Sequence, residues 1–408
     1  MIRTSKHTTR FVNEEKGNLL NQFIAEYKSA TEFYIDYLFD KIDFTTCESP
    51  KFISTKSVFP KNTKLSQRAL KCASTQACGM IKAQTEKPRK VIFVIGKLKE
   101  ENQDSSKLEE WLRNYKFSKP QIKNGFSCEL NSICCDFKEN ETKKFNFIQL
   151  KSIGKIFKKI RIPISYHRQS LKWKKQGKIL PSFLINEKFI DLRYEIPTPK
   201  LKENGKIVGA DQGKSTCLSL SDGQVTKTDN QGWDLSTILA KLAKKKKGSK
   251  AFKKTEEHRK NYINWSINQL NLSQIKKINL EKIKDLRKGK KTSRLMSHWA
   301  YALIKSKLIK FCEEQKVSVS EQSCVYRSQR CNQCGLVRKS QRQGKIYACS
   351  CGYVGDADIN ASLNHEINLP SVDFLRGKGH NIGGFYWIES GIYDLCHKEL
   401  TVPCTKKL

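Results

Sequence analysis

The chain has 408 residues, 38% of them hydrophobic and 10% aromatic, and carries 77 Lys and Arg against 40 Asp and Glu, a formal net charge of +37. That length suggests two to four domains at roughly 100–200 residues each. A membrane-spanning chain is excluded by the lack of any run of about 18 apolar residues and a mean hydropathy of −0.60, and a secreted disulfide scaffold by 15 scattered cysteines, an odd number.

So large a charge excess points to a polyanionic partner, nucleic acid first. Residues 1–7 (MIRTSKH) have no apolar stretch of signal-peptide type. The expected setting is a reduced intracellular one, the cytoplasm of a prokaryotic-type cell, with no membrane partner.

Over 11–42, Phe11, Leu19, Leu20, Phe23, Ile24, Tyr27, Phe33, Tyr34, Tyr37 and Leu38 recur largely at three- and four-residue spacing. That spacing predicts one long amphipathic helix. Pro50, Pro60 and several Ser and Thr make 43–64 a loop. A second helix is predicted over 65–86, ending before Pro88, and a third near 105–115. Over 121–200 the apolar period drops to two, as in Phe126, Cys128, Leu130 and Ile160, Ile162, Ile164, which predicts an all-β module. Lys158, Lys159, Arg161, Arg168, Lys172, Lys174 and Lys175 are interleaved there with Tyr166, His167 and Trp173. Basic strands with aromatics can track a sugar-phosphate backbone and stack bases. The same pattern also fits a solvated sheet face, with Trp173 in the core, and both readings stand.

After the 197–199 linker, residues 207–211 (IVGAD) form a short apolar strand ending in Asp211, and the turn at Ser221-Asp222-Gly223 folds the next stretch of chain into a hairpin. Residues 234–272 read as helical and very basic. The lysine run 244–247 is either a nucleic-acid contact or a solvated helix face. Residues 275–281 form a strand ending in Glu281, 293–315 an amphipathic helix, and Val317 and Val319 a further strand.

Cys331 and Cys334 (C-x-x-C) and Cys349 and Cys351 (C-x-C) are each followed by glycine, Gly335 and Gly352. Four thiolates on two tight turns satisfy one tetrahedral Zn²⁺, with no position left open for water, so the predicted role is structural. The second pair is one residue shorter than the usual spacing. Asp211, Glu281 and either Asp356 or Asp358 each stand at the end of a separate element. Buried carboxylates are costly unless compensated. Three of them can hold two Mg²⁺ about 3.5–4 Å apart, one activating water and the other stabilising the leaving oxygen of a phosphodiester. The alternative is salt-bridged or capping acids, with Asp356 the N-cap of a helix at 358–366.

In chain order, GADQG at 209–213, NLE at 279–281, SHWAY at 297–301, YRSQRCNQCG at 326–335, CSCGY at 349–353 and DADINA at 356–361 resemble the TnpB family. That family comprises transposon-encoded RNA-guided nucleases and is ancestral to compact type V CRISPR effectors. The likeness covers about 201–368. It implies a multi-domain α/β protein with an RNase H-like (RuvC) nuclease domain at 201–328 and 354–368, interrupted by a zinc ribbon at 329–353. A β-barrel wedge domain (1–10 and 119–200) and a helical recognition lobe (11–118) would precede it. The tail at 369–408 has no assigned role. The metal-binding catalytic acids would be Asp211, Glu281 and Asp358, since the D-x-N-A register puts the catalytic Asp two residues before Asn360. The resemblance also implies a guide RNA that pairs with target double-stranded DNA while protein contacts read a short flanking motif. Arg327 stands where the family usually has Thr, and Ala210 where a larger apolar residue is usual. Two other functions share parts of this pattern. An RNA-guided repressor would be expected to lose the acids, which are present. A transposition accessory DNA-binding protein would act without RNA.

Overall fold

The structure, a computed structural model, describes residues 1–42, 53–123, 125–139, 145–157, 160–283, 292–375 and 383–400. The chain divides into two units, Met1–Thr198 and Pro199–Leu408.

In the first unit, α1 (Glu14–Phe39) begins where the Asn13 side chain accepts from the Lys16 N–H, with Glu14 and Glu15 in the first turn. Its Phe23, Tyr27, Tyr34 and Leu38 are buried, as are Leu70, Ala73 and Ile81 of α2 (Gln67–Glu100). The stop predicted before Pro88 does not occur, because α2 continues through it. Tertiary contact outweighs the local proline cost here. α3 (Ser106–Arg113) folds back on the distal half, with Lys99 2.9 Å from Glu109 and Lys87 over the Trp111 ring.

Among the described residues of the unit there are seven strands: β1 (Ile2–Thr8), β2 (Cys128–Leu130), β3 (Cys135–Lys138), β4 (Asn146–Leu150), β5 (Arg161–Ile164), β6 (Lys178–Ile185) and β7 (Phe189–Glu195). Among the described residues they form two antiparallel sheets, β1-β7-β6-β2 and β3-β4-β5, rather than one closed ladder. Both contribute to one core with α1 and α2. The predicted run of basic strands turns helical at α4 (Arg168–Gln176), where His167 and Ser170 cap each other reciprocally.

The second unit is built on β8 (Lys206–Asp211), β9 (Ser219–Leu220), β10 (Ile275–Lys282) and β11 (Ser318–Ser323), in the order β11-β10-β8-β9. β10 runs parallel to both β8 and β11, while β9 returns antiparallel beside β8. Parallel neighbours need crossovers. α5 (Leu235–Ala243) and α6 (Lys250–Asn268) supply one, α7 (Arg294–His298) and α8 (Tyr301–Glu314) the other. Each predicted single helix is thus two. The first breaks at 244–249, where Gly248 has φ +84° and Ser249 caps α6, so the lysine run lies in a turn and not on a helix face. The second breaks at Trp299, whose backbone is extended.

α9 (Ala357–Glu366) lies directly on β8. A Cβ on Gly209 would sit 1.9 Å from the Ser362 carbonyl oxygen and 2.5 Å from the Glu366 nitrogen. Only glycine permits that approach. Gly209→Ala is expected to push α9 off the sheet at a cost of about 1–3 kcal/mol, a fall of about 2–4 °C in Tm per kcal/mol. An unchanged thermal midpoint would contradict this packing.

The cysteine segment contributes β12 (Leu336–Val337) and an antiparallel meander of β13 (Arg342–Gln343), β14 (Ile346–Ala348) and β15 (Val354–Asp356). The tail then returns, with β16 (Phe385–Ile388) pairing with β12 and β17 (Gly391–Tyr393) beside it. Phe385, Trp387 and Ile392 share a core with Tyr326 and Val337. The segment with no role legible in the sequence is structural support for the first cysteine turn.

Candidate active site and metal centre

Ala210 and Leu280 are paired in the parallel β8–β10 ladder, so Asp211 and Glu281 come next, side by side at the carboxyl ends of adjacent strands. Sites in open α/β sheets form at such ends. The Gln212 N–H donates to Glu281 Oε1 at 2.6 Å. His365, from the face of α9 that meets the sheet, joins them: ligand atoms of Asp211, Glu281 and His365 all lie within 4.8 Å of one another.

Asp358 lies two helical turns before His365 on α9 and is 7% exposed. Its Oδ1 accepts from Arg342 at 2.8 Å, and Lys345 Nζ is 4.0 Å from Oδ2. The fold therefore gathers Asp211 and Glu281 with His365. The charge of Asp358 acts on both acids, while its carboxylate is held by cations from the cysteine segment. Asp356 is the N-cap of α9, accepting from the Asp358 and Ile359 N–H groups at 2.8 and 3.0 Å.

Burial, reinforced by the Asp358 charge and opposed by Arg342, pushes the Asp211 carboxyl from 3.8 to about 7. Burial and then the Asp211 charge push Glu281 from 4.5 to about 9, against the Gln212 N–H. Without a cation the folded chain retains protons here that an unfolded chain would release near pH 4. The stability these protons contribute is therefore complete below about pH 4 and lost as pH rises through about 7 and about 9. Metal-free protein is expected to lose thermal stability between about pH 4 and pH 9, and Asp211→Asn to flatten the fall most between about pH 4 and pH 7. Added Mg²⁺ should raise Tm more at the alkaline end, where it displaces fewer protons. Parallel melting curves for wild type and Asp211→Asn across this range would contradict the assignment.

Polar side chains of α9 hold the entry to the cysteine segment. Asn360 donates to the Arg330 carbonyl at 2.8 Å and accepts from the Asn332 N–H at 3.0 Å. Asn364 donates to the Arg327 and Arg330 carbonyls at 3.0 and 2.7 Å. The asparagine of the D-x-N-A motif is thus an anchor for this segment. Arg327, unusual at its position, donates to the Asn364 and Ile367 carbonyls. It caps the C-terminus of α9, where a cation also suits the helix dipole.

Cys331 and Cys351 have their sulfurs 3.7 Å apart, and Cys334 and Cys349 3.6 Å. A tetrahedron with Zn–S bonds of about 2.3 Å has edges of about 3.8 Å. The four residues thus fit one Zn²⁺, and the short C-x-C pair closes the set. The turns rest on Gly335 (φ +78°) and Gly352 (φ +93°), whose N–H groups donate back to the Cys331 and Cys349 carbonyls at 3.0 Å.

Of the predicted nucleic-acid contacts, Arg161, Arg168, Lys172, Lys174 and Lys175 are exposed. Lys174 pairs with Glu139, and Lys172 lies over the Trp173 ring. Lys158 and Lys159 lie outside the described residues. Trp173 is 2% exposed and belongs to the core, so its ring is not presented to a base. Its position on α4 turns it inward, which a period-two reading could not show. The second unit has a cavity of about 690 Å³ whose lining includes Lys247, Lys253, Arg259, Arg294 and Trp299. The Trp299 indole donates to the Gly213 carbonyl at 3.0 Å, which ties this cavity to the loop after Asp211.

Sequence reasoning missed Arg342, Lys345 and His365. A seven-residue step from Asp358 marks His365 as sharing its helix face. Nothing local marks Arg342, because only the folded meander brings it to Asp358.

Residues 301–365 match the Cas12f1-like TNB domain family. A CRISPR-associated endodeoxyribonuclease Cas12f1 from Sulfoacidibacillus thermotolerans is 37% identical over 83 residues, 20% of this chain and 19% of that protein. The match thus spans about a fifth of that relative's length. Among solved structures, a Cas12f1–sgRNA–target DNA complex aligns at 14% identity and TM-score 0.43, over 90% of this chain and 99% of that one. The mini-RNA-guided endonuclease CRISPR-Cas_phi3 aligns at 9% identity and TM-score 0.46, over 90% and 92%. The domain match and the curated relative bear out the resemblance to compact type V, TnpB-like nucleases. Among the described residues, no helix is long and apolar enough to cross a membrane.

Proposed function

We propose that the chain is an RNA-guided DNA endonuclease of the cytoplasm, cutting phosphodiester bonds of target double-stranded DNA at an RNase H-like (RuvC) site. The observation that carries this is the pairing of Asp211 and Glu281 on adjacent parallel strands, with Asp358 supplied by the helix packed across them. The second unit is then the nuclease domain with an inserted zinc ribbon. In the first unit, α1–α3 form the recognition lobe and the two sheets with α4 the wedge.

Asp211, Glu281 and Asp358 hold the catalytic cations, two Mg²⁺ on this reading. When bound, these supply Lewis-acid activation of the phosphodiester and of water. The Gln212 N–H fixes one oxygen of Glu281 and leaves the other for a cation. Arg342 holds the Asp358 carboxylate and places a positive charge beside it, which would attract a phosphate. One Zn²⁺ in the ribbon keeps Arg342 and Lys345 at that acid. The net charge of +37 serves the RNA and DNA phosphates, so affinity falls steeply with salt.

Sequencing the RNA that co-purifies with the full chain tests the reading. A discrete RNA with a constant portion is expected, and its removal should abolish cleavage. A nucleic-acid-free chain that cuts DNA fully without added RNA would overturn it. Charge reversal at Lys172 and Lys174 together should weaken RNA binding and lower its salt slope, with only a small fall in melting temperature from the lost Lys174–Glu139 surface pair.

A further inference from the structure

We propose that His365 is a nitrogen ligand to one of the site's divalent cations, giving the site a preference for Mn²⁺ over Mg²⁺. This rests on the reading that Asp211 and Glu281 bind metal.

Three observations carry it. A ring nitrogen of His365 lies within 4.8 Å of the ligand oxygens of both acids. The side chain is 1% exposed, and among the described residues its Nδ1 has no hydrogen-bond partner. A buried imidazole with an unpaired nitrogen is costly, and a cation bound through the ring offsets that cost. Finally, the placement is rigid, because α9 is seated on β8 at Gly209, where the backbones touch.

A shared ion would hold the three ligand atoms somewhat closer than that 4.8 Å limit. Ligands about 2.1 Å from an octahedral cation stand about 3.0 Å apart when adjacent and about 4.2 Å when opposite. Asp358, salt-bridged to Arg342 and Lys345, is not among the three groups whose ligand atoms close to within 4.8 Å, so it is left to the second ion. The third donor nearest the acid pair is therefore nitrogen rather than oxygen. Mg²⁺ is bound through oxygen, whereas Mn²⁺ opens the first-row transition series, whose ions accept nitrogen and whose later members take imidazole better still.

The test uses zinc-loaded full chain with Mn²⁺ alone as the probe. Pulsed electron paramagnetic resonance of the bound ion should show coupling to one ¹⁴N, and the wild-type spectrum decides this without any variant. His365→Leu and the more conservative His365→Gln should remove the coupling and weaken Mn²⁺ binding by about 10–100-fold, with a smaller loss for Mg²⁺. If Mn²⁺ binds in an Asp211-dependent way but shows no nitrogen coupling, the proposal falls and the acid site stands. If no Mn²⁺ binds and Asp211→Asn changes nothing, both fall together.

Discussion

Alanine at Asp211, Glu281 or Asp358 is expected to reduce Mg²⁺-dependent cleavage by at least about 10³-fold. Binding of the guide RNA and of matched DNA should remain nearly intact. The two effects separate because each acid acts at the metal site, whereas affinity comes from a surface with a net excess of 37 cationic charges. Asp356→Ala serves as the contrast. Its side chain caps α9 through the Asp358 and Ile359 N–H groups, so its loss should cost about 1 kcal/mol of stability and leave most activity. If Asp356→Ala were inactive and Asp358→Ala active, the assignment of the third acid would be wrong by two residues.

Cys334→Ser should lower zinc content from one ion per chain to almost none, and folding stability with it. Structural zinc sites in isolated fingers contribute about 10–16 kcal/mol of apparent binding free energy. Part of the support here comes from the tail, since the Trp387 N–H donates to the Gly335 carbonyl at 2.9 Å on the first cysteine turn. The ribbon also carries Arg342 to Asp358, so cleavage should fall as the zinc is lost. Fully active protein that proves free of zinc on elemental analysis would contradict a structural zinc site.

The features legible in the sequence are those set by neighbouring residues. Apolar runs ending in an acid gave β8 and β10 with Asp211 and Glu281. The D-x-D-x-N spacing gave a capped helix, and the paired cysteines gave two turns. The features that escaped were decided across the fold. α2 passes through Pro88, which is buried, and α3 packs on its far part. Residues 168–176 leave the strand pattern because His167 and Ser170 close a capping box, and Trp173 turns inward with them. The apolar residues of 385–392 carried no functional signal because their partner, β12, lies about 50 residues earlier. Arg342 reached Asp358 through a meander whose register no periodicity encodes.

The central claim is that the bound RNA, and not the protein alone, chooses where this site cuts. Replacing the pairing segment of that RNA with an unrelated sequence, and mapping the cuts on DNA carrying both target sequences, tests it most directly. The cut should move to the new match, and the Asp211→Ala complex should occupy the same match without cutting. Cuts that stay in place whatever the RNA sequence would contradict it.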